Sequence, residues 1–208
     1  MSGEGARDAV LGRIRAALGD RSSARPIPRA YDIRLPPEVD LAELFAERVA
    51  DYRATVQRTT RDDLPPAIAR ILATHRARRV AVPSGIPDRW LSGSDVEQVP
   101  DEPALAHADL DRLDAVISGC AVAIAETGTV VLDGGDDQGR RALSLLPDLH
   151  VCIVRVDQVV GSVPEALARL DPRRPQTWIS GPSATSDIEL ERVEGVHGPR
   201  RLAILLVN

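Results

Sequence analysis

Apolar positions change their spacing along this chain, and the change divides it. Val10, Leu11, Ile14 and Leu18 fall at helical intervals within Arg7 to Leu18, and Gly19 follows as a stop signal, which predicts a short amphipathic helix. Four prolines between Arg21 and Pro37 disfavour both helix interior and central strand, so that stretch reads as an extended linker. Leu41, Leu44, Phe45, Val49 and Tyr52 then form one helical face behind a capping Asp40, and Ile68, Ile71 and Leu72 mark a second helix over Pro65 to Arg76. From Val80 the pattern becomes short apolar runs bounded by Gly, Pro or Asp. They are Val80 to Pro83, Val96 to Val99, Ala115 to Ser118, Val122 to Ala125, Thr129 to Leu132, His150 to Val154, Thr177 to Ser180 and Leu202 to Val207. Several are apolar at consecutive positions, as strands covered on both faces are, and a helix over Val163 to Leu170 suggests βαβ crossovers. The expectation is an α/β domain over residues 39–208, a mainly parallel sheet with flanking helices, preceded over residues 1–38 by a helical appendage and linker.

A length of 208 residues with 43% hydrophobic content suffices for one buried core. No run reaches the roughly 18 apolar residues of a spanning helix, and Met1 to Asp20 carries charge throughout, so neither membrane insertion nor export is indicated and a cytoplasmic location is expected. All 26 basic residues are arginine; without lysine, Schiff-base and P-loop mechanisms are excluded. Scattered arginines, a net charge of -5 and 2% aromatic residues make nucleic acid an unexpected partner. Cys120 and Cys152 lie far apart in apolar runs with no further thiols, and the histidines at 75, 107, 150 and 197 show no ligand spacing. Buried reduced thiols, no metal site and no cofactor are therefore expected.

Three segments can carry chemistry. In Ile124 to Leu132, Glu126 ends one apolar run and Thr127, Gly128 and Thr129 lead into the next. A carboxylate at a strand end can act as acid, base or nucleophile; equally, the segment can be a hairpin with Gly128 at positive φ and Glu126 in solvent. In Ile179 to Glu189, Gly181 allows close approach, and Ser183, Thr185, Ser186 and Asp187 crowd a loop suited to an anion. Ser186 to Glu189 also fits a capping box, which gives part of that loop a purely structural reading. Weaker signals are His197, flanked by Gly195 and Gly198, as an acid or base or merely a turn residue, and Arg140 with the segment Ser144 to His150.

In their order, AIAETGTVVL, the R-x-x-SLLPDLH segment, ISGPSATSDIE and GVHGPRRL resemble the lactate-utilization protein C family, the LUD domain, over about residues 113–207. The resemblance implies the broad fold of sugar-phosphate isomerases and coenzyme A transferases. It also implies a non-redox component or assembly partner of iron–sulfur proteins that together oxidise L-lactate to pyruvate, with a small anionic ligand between Glu126 and the 180–187 loop. This chain departs from the family pattern at Ala184, where a basic residue is frequent, and at Val122. An alternative is a stand-alone enzyme acting on a coenzyme A ester or sugar phosphate, with Glu126 as nucleophile or base.

Overall fold

A computed structural model of the chain describes residues 3–19, 27–28, 32–101, 105–185, 193–195 and 197–208. It divides into two compact units, Met1–Asp32 and Ile33–Asn208. Within the first, helix α1 (Gly3–Leu18) leaves Val10, Ile14 and Leu18 exposed, and Gly19 takes a positive φ where the helix ends.

The second unit holds helices α2 (Leu41–Asp51), α3 (Leu64–Thr74), α4 (His107–Leu110) and α5 (Val163–Arg169). Its strands begin with β1 (Thr55–Thr59), β2 (Arg79–Val82), β3 (Glu97–Pro100), β4 (Ala115–Ser118), β5 (Val122–Ile124) and β6 (Thr129–Leu132). They continue with β7 (Leu149–Arg155), β8 (Val159–Val160), β9 (Thr177–Ile179), β10 (Ala184–Thr185), β11 (Val193–Glu194) and β12 (Arg201–Val207). Six of them form one sheet, ordered β1-β12-β7-β4-β2-β3 and parallel throughout. A smaller mixed sheet runs β8-β5-β6-β9, and β10 pairs with β11 in a short ribbon.

Packing explains the continuous apolar runs. Along β7, Leu149, Val151 and Ile153 face a core shared with Ile68, Ile71 and Leu72 of α3, while Cys152 and Val154 face Phe45 and Val49 of α2 and Val130 of the small sheet. A strand buried on both faces has no polar side to show. α2 starts where Asp40 accepts the Ala42 and Glu43 amides at 3.0 and 3.1 Å. α3 starts with two prolines, tolerated because first-turn amides have no helical acceptor.

The small sheet departs from the single mainly parallel sheet expected. β5 and β6 form an antiparallel hairpin inside the connection from β4 to β7, and β8 and β9 come from the connection between β7 and β12. α5 carries the chain from one edge of the small sheet to the other, packing Ala166 against Val122, Ile124 and Val131. It is no crossover of the large sheet. β1 escaped the apolar pattern because it is an edge strand, paired only with β12 and largely exposed except at Thr59. The two cysteines, distant in sequence, share one buried cluster as free thiols. The neighbouring Cys152 thiol and burial push the Cys120 thiol well above its usual range, which keeps it protonated.

The N-terminal boundary also has structure of its own. Ser162 donates its hydroxyl to the Ile33 carbonyl, and Leu35 lies against Gly161, so residues 33–38 pack with the second unit.

Candidate functional site

A cavity of about 320 Å³ opens at the N-terminal ends of β7 and β12, where the large sheet meets the edge strand β9 of the small one. Three chain segments supply its polar lining. The first gives Arg141, Ser144 and His150; the second gives Thr177 and residues 178–184; the third gives His197, Gly198 and Pro199. Trp178, Leu145 and Leu202 add apolar wall.

His150 is the most constrained of these groups. It occupies the second position of β7, opposite Val116 and Leu202 on the neighbouring strands, and is 1% exposed. Its Nε2 lies 2.7 Å from the Ser118 Oγ. Burial alone lowers its pKa to about 4, so at neutral pH the ring is uncharged and can pass or accept a single proton but offers no fixed positive charge. Ser118 occupies Nε2, leaving Nδ1 as the ring's remaining polar atom.

Positive charge in the cavity comes from Arg141. It is exposed and makes no ion pair or side-chain hydrogen bond with any described residue, its carbonyl accepting from the Ser144 hydroxyl at 2.9 Å. Arg140, its neighbour, is fully engaged: its side chain pairs with Asp101 at 2.9 Å and donates to the Leu105 carbonyl at 3.1 Å. Arg140 therefore lines an adjoining hollow of about 340 Å³ and not this cavity.

The 180–184 loop is fixed from two sides. Ser183 donates its amide to the Pro199 carbonyl at 2.9 Å, accepts from the Gly195 amide at 2.9 Å, and its Oγ accepts from the His197 amide at 3.1 Å. Among the described residues none accepts the Ser183 hydroxyl proton. On the other side, the hydroxyls of Thr127, Thr129 and Ser180 form a chain with 2.7 Å links that ends at the cavity. Gly181 has φ +86, and a Cβ there would lie 2.5 Å from the Tyr52 Cβ, so glycine is demanded by packing against the end of α2.

Sequence-derived candidates thus separate. Ser183, His197 and Gly181 line the cavity; Thr129 reaches it through Ser180; Thr127 stands one hydroxyl further back. Glu126 and Gly128 do not line it. Glu126 sits exposed in the turn between β5 and β6, its amide donating to the Gly161 carbonyl at 3.0 Å, and Gly128, at φ +58, is closed against the backbone of Arg48 in α2. The hairpin reading of that segment is the one the fold adopts. Ser186, Asp187 and the Thr185 side chain lie outside the described residues, as does the capping box beginning at Ser186.

Arg141, Thr177 and Trp178 carried no individual signal in the sequence, and Ser144 entered only as the start of the Ser144 to His150 segment. The R-x-x-S spacing, which starts at Arg141 and not Arg140, was the available clue. His150 was legible as the one polar residue inside an apolar strand.

Residues 94–207 match the LUD domain model. Over 200 residues the chain is 52% identical to lactate utilization protein C of Deinococcus radiodurans, spanning 93% of this chain and 91% of that one. The chain belongs to the LUD-domain, lactate utilization protein C family. Lactate utilization protein C of Geobacillus kaustophilus is 30% identical over 97% of this chain and 96% of its own. The crystal structure of a DUF162 family protein from Deinococcus radiodurans shares the fold with a TM-score of 0.68 at 45% identity, covering 88% of this chain and all of the other. Three of the four segments that carry the family resemblance converge on the Arg141 cavity, and the fourth reaches it through the Thr129 to Ser180 hydrogen bond.

Proposed function

We propose that this chain acts in bacterial L-lactate oxidation as a cytoplasmic, non-redox component that works with iron–sulfur proteins, and that its Arg141 cavity holds a small carboxylate. The family membership supports the lactate role, since relatives aligned over nearly their whole length bear the name lactate utilization protein C. The non-redox part rests on chemistry: two cysteines, both buried in one core, supply too few thiolates for a cluster.

The single observation that carries the ligand reading is that Arg141, which has no ion pair among the described residues, lines one cavity of about 320 Å³ with the Ser180 and Ser183 hydroxyls and His197. A guanidinium fork matches a carboxylate, and the Ser180 and Ser183 hydroxyls are placed to supply donors beside it. His150, neutral and held by Ser118, can bond a hydroxyl or keto oxygen without adding charge. Lactate and pyruvate present that combination of groups.

The test is genetic and biochemical together. Deletion of the gene should abolish growth on L-lactate, an Arg141→Ala allele should fail to restore it, and the tagged native protein should copurify with iron–sulfur proteins and lactate-dependent dye reduction. Normal growth of the deletion strain on lactate would end the proposal.

A further inference from the structure

The C-terminal edge of the six-stranded sheet is closed over one half and open over the other. Across β2 and β4 the loop 133–139 is tied down, with the Asp136 carbonyl accepting from Gly85 at 2.9 Å and the Asp137 carbonyl from Gly119 at 2.8 Å. Beyond the ends of β1, β7 and β12 the edge opens into a cleft of about 270 Å³. Three guanidinium-bearing residues line it: Arg155 at the end of β7, Arg61 just past β1, and Arg89 in the 3₁₀ turn Asp88–Leu91. Its floor is apolar, made by Ile153 and Val207 from the strands, Leu64 from the start of α3, and Trp90. An adjoining hollow of about 430 Å³ shares Arg61, Arg155 and Val207 and extends to Val156, Asp157 and Asn208.

Charge in the cleft is unbalanced. Arg155 pairs with Asp157 at 3.0 Å, whereas Arg61 and Arg89 form no ion pair with any described residue. Two cations beside an apolar pocket, neither paired with a carboxylate among the described residues, suit an anion that also carries an apolar body.

We propose that this cleft binds a small phosphate-bearing molecule with a flat ring, of the nucleotide type, its phosphate oxygens on Arg61 and Arg89 and its ring against Trp90. Guanidinium forks match phosphate in two-point contacts, and an aromatic face accepts a ring in offset stacking. The cleft also lies where ligands gather in open α/β sheets, outside the carboxyl ends of parallel strands. It is separate from the Arg141 cavity, which stands at the opposite ends of β7 and β12, so neither reading depends on the other.

The two tryptophans make the test selective, because Trp90 lines this cleft and Trp178 lines the other cavity. In the full-length Trp178→Phe chain, ADP should quench Trp90 fluorescence saturably, pyrophosphate should compete, and added salt should weaken binding. The double variant Arg61→Ala/Arg89→Ala, made in that background, should raise Kd by at least about tenfold while leaving the melting temperature in place. Absence of saturable quenching at millimolar ADP, or an unchanged Kd in the double variant, would overturn the proposal. So would quenching seen only when Trp178 is present, which would assign the nucleotide to the other cavity.

Discussion

At the scale of single residues, charge and burial set opposite roles for two neighbours of the candidate cavity. Arg141 is exposed and has no ion pair among the described residues, so Arg141→Ala should leave the melting temperature unmoved while weakening pyruvate binding about tenfold in a calorimetric titration. His150 is buried and neutral, with a folded pKa of about 4 against an ordinary 6.5. Between those values the unfolded chain takes up a proton that the folded chain refuses, so stability is fully present above pH 6.5 and falls as the pH drops toward 4. The shift corresponds to about 3 kcal/mol over that window. Urea midpoints measured from pH 7 to pH 4 should show the fall, and His150→Gln should flatten it. Gly181→Ala separates packing from ligand contact: with φ +86 and Tyr52 in the way, it should lower stability by about 2 kcal/mol or more in chemical unfolding. Composition could not rank Arg140 against Arg141, because which arginine meets Asp101 is decided by a residue about 40 positions away.

At the scale of elements, local rules account for most starts and stops. α5 is only seven residues long and depends on its cap: Ser162 accepts the Glu165 amide, while the Glu165 carboxylate accepts the Gly161 and Ser162 amides at 3.0 and 3.1 Å. Ser162→Ala removes one half of that box and the bond to the Ile33 carbonyl, and should cost about 1 to 2 kcal/mol, read as a lower thermal midpoint. Helices α2 and α3 and the core strands were visible in the apolar spacing because each buries a full stripe or two full faces, whereas α1 shows the spacing and leaves Val10, Ile14 and Leu18 exposed. β1 was not, since Thr55 to Thr59 buries one residue and owes its conformation to hydrogen bonds with β12, some 150 residues further along the chain.

At the scale of the whole molecule, the division after Asp32 gives residues 33–38 a structural role that proline content alone concealed. A chain beginning at Ile33 keeps the carbonyl that Ser162 binds and the Leu35 contact with Gly161; one beginning at Val39 loses both. The first is expected to retain the thermal transition of residues 33–208, and the second to melt lower, by differential scanning calorimetry.

The sequence by itself determined the α/β class, the paired core faces, the absence of lysine chemistry and the four segments that mark the family. Each of these follows from composition or from spacing over a few residues. Tertiary structure alone decided that β5 and β6 turn back as a hairpin, that Glu126 stands in solvent, that Cys120 and Cys152 meet, and that Arg141, His150, Ser183 and His197 border one cavity. These depend on strand order, and β12 lies between β1 and β7 although every strand of the small sheet precedes it in the chain. A periodicity measures how much of a segment is buried; it carries no information about which distant segment buries it.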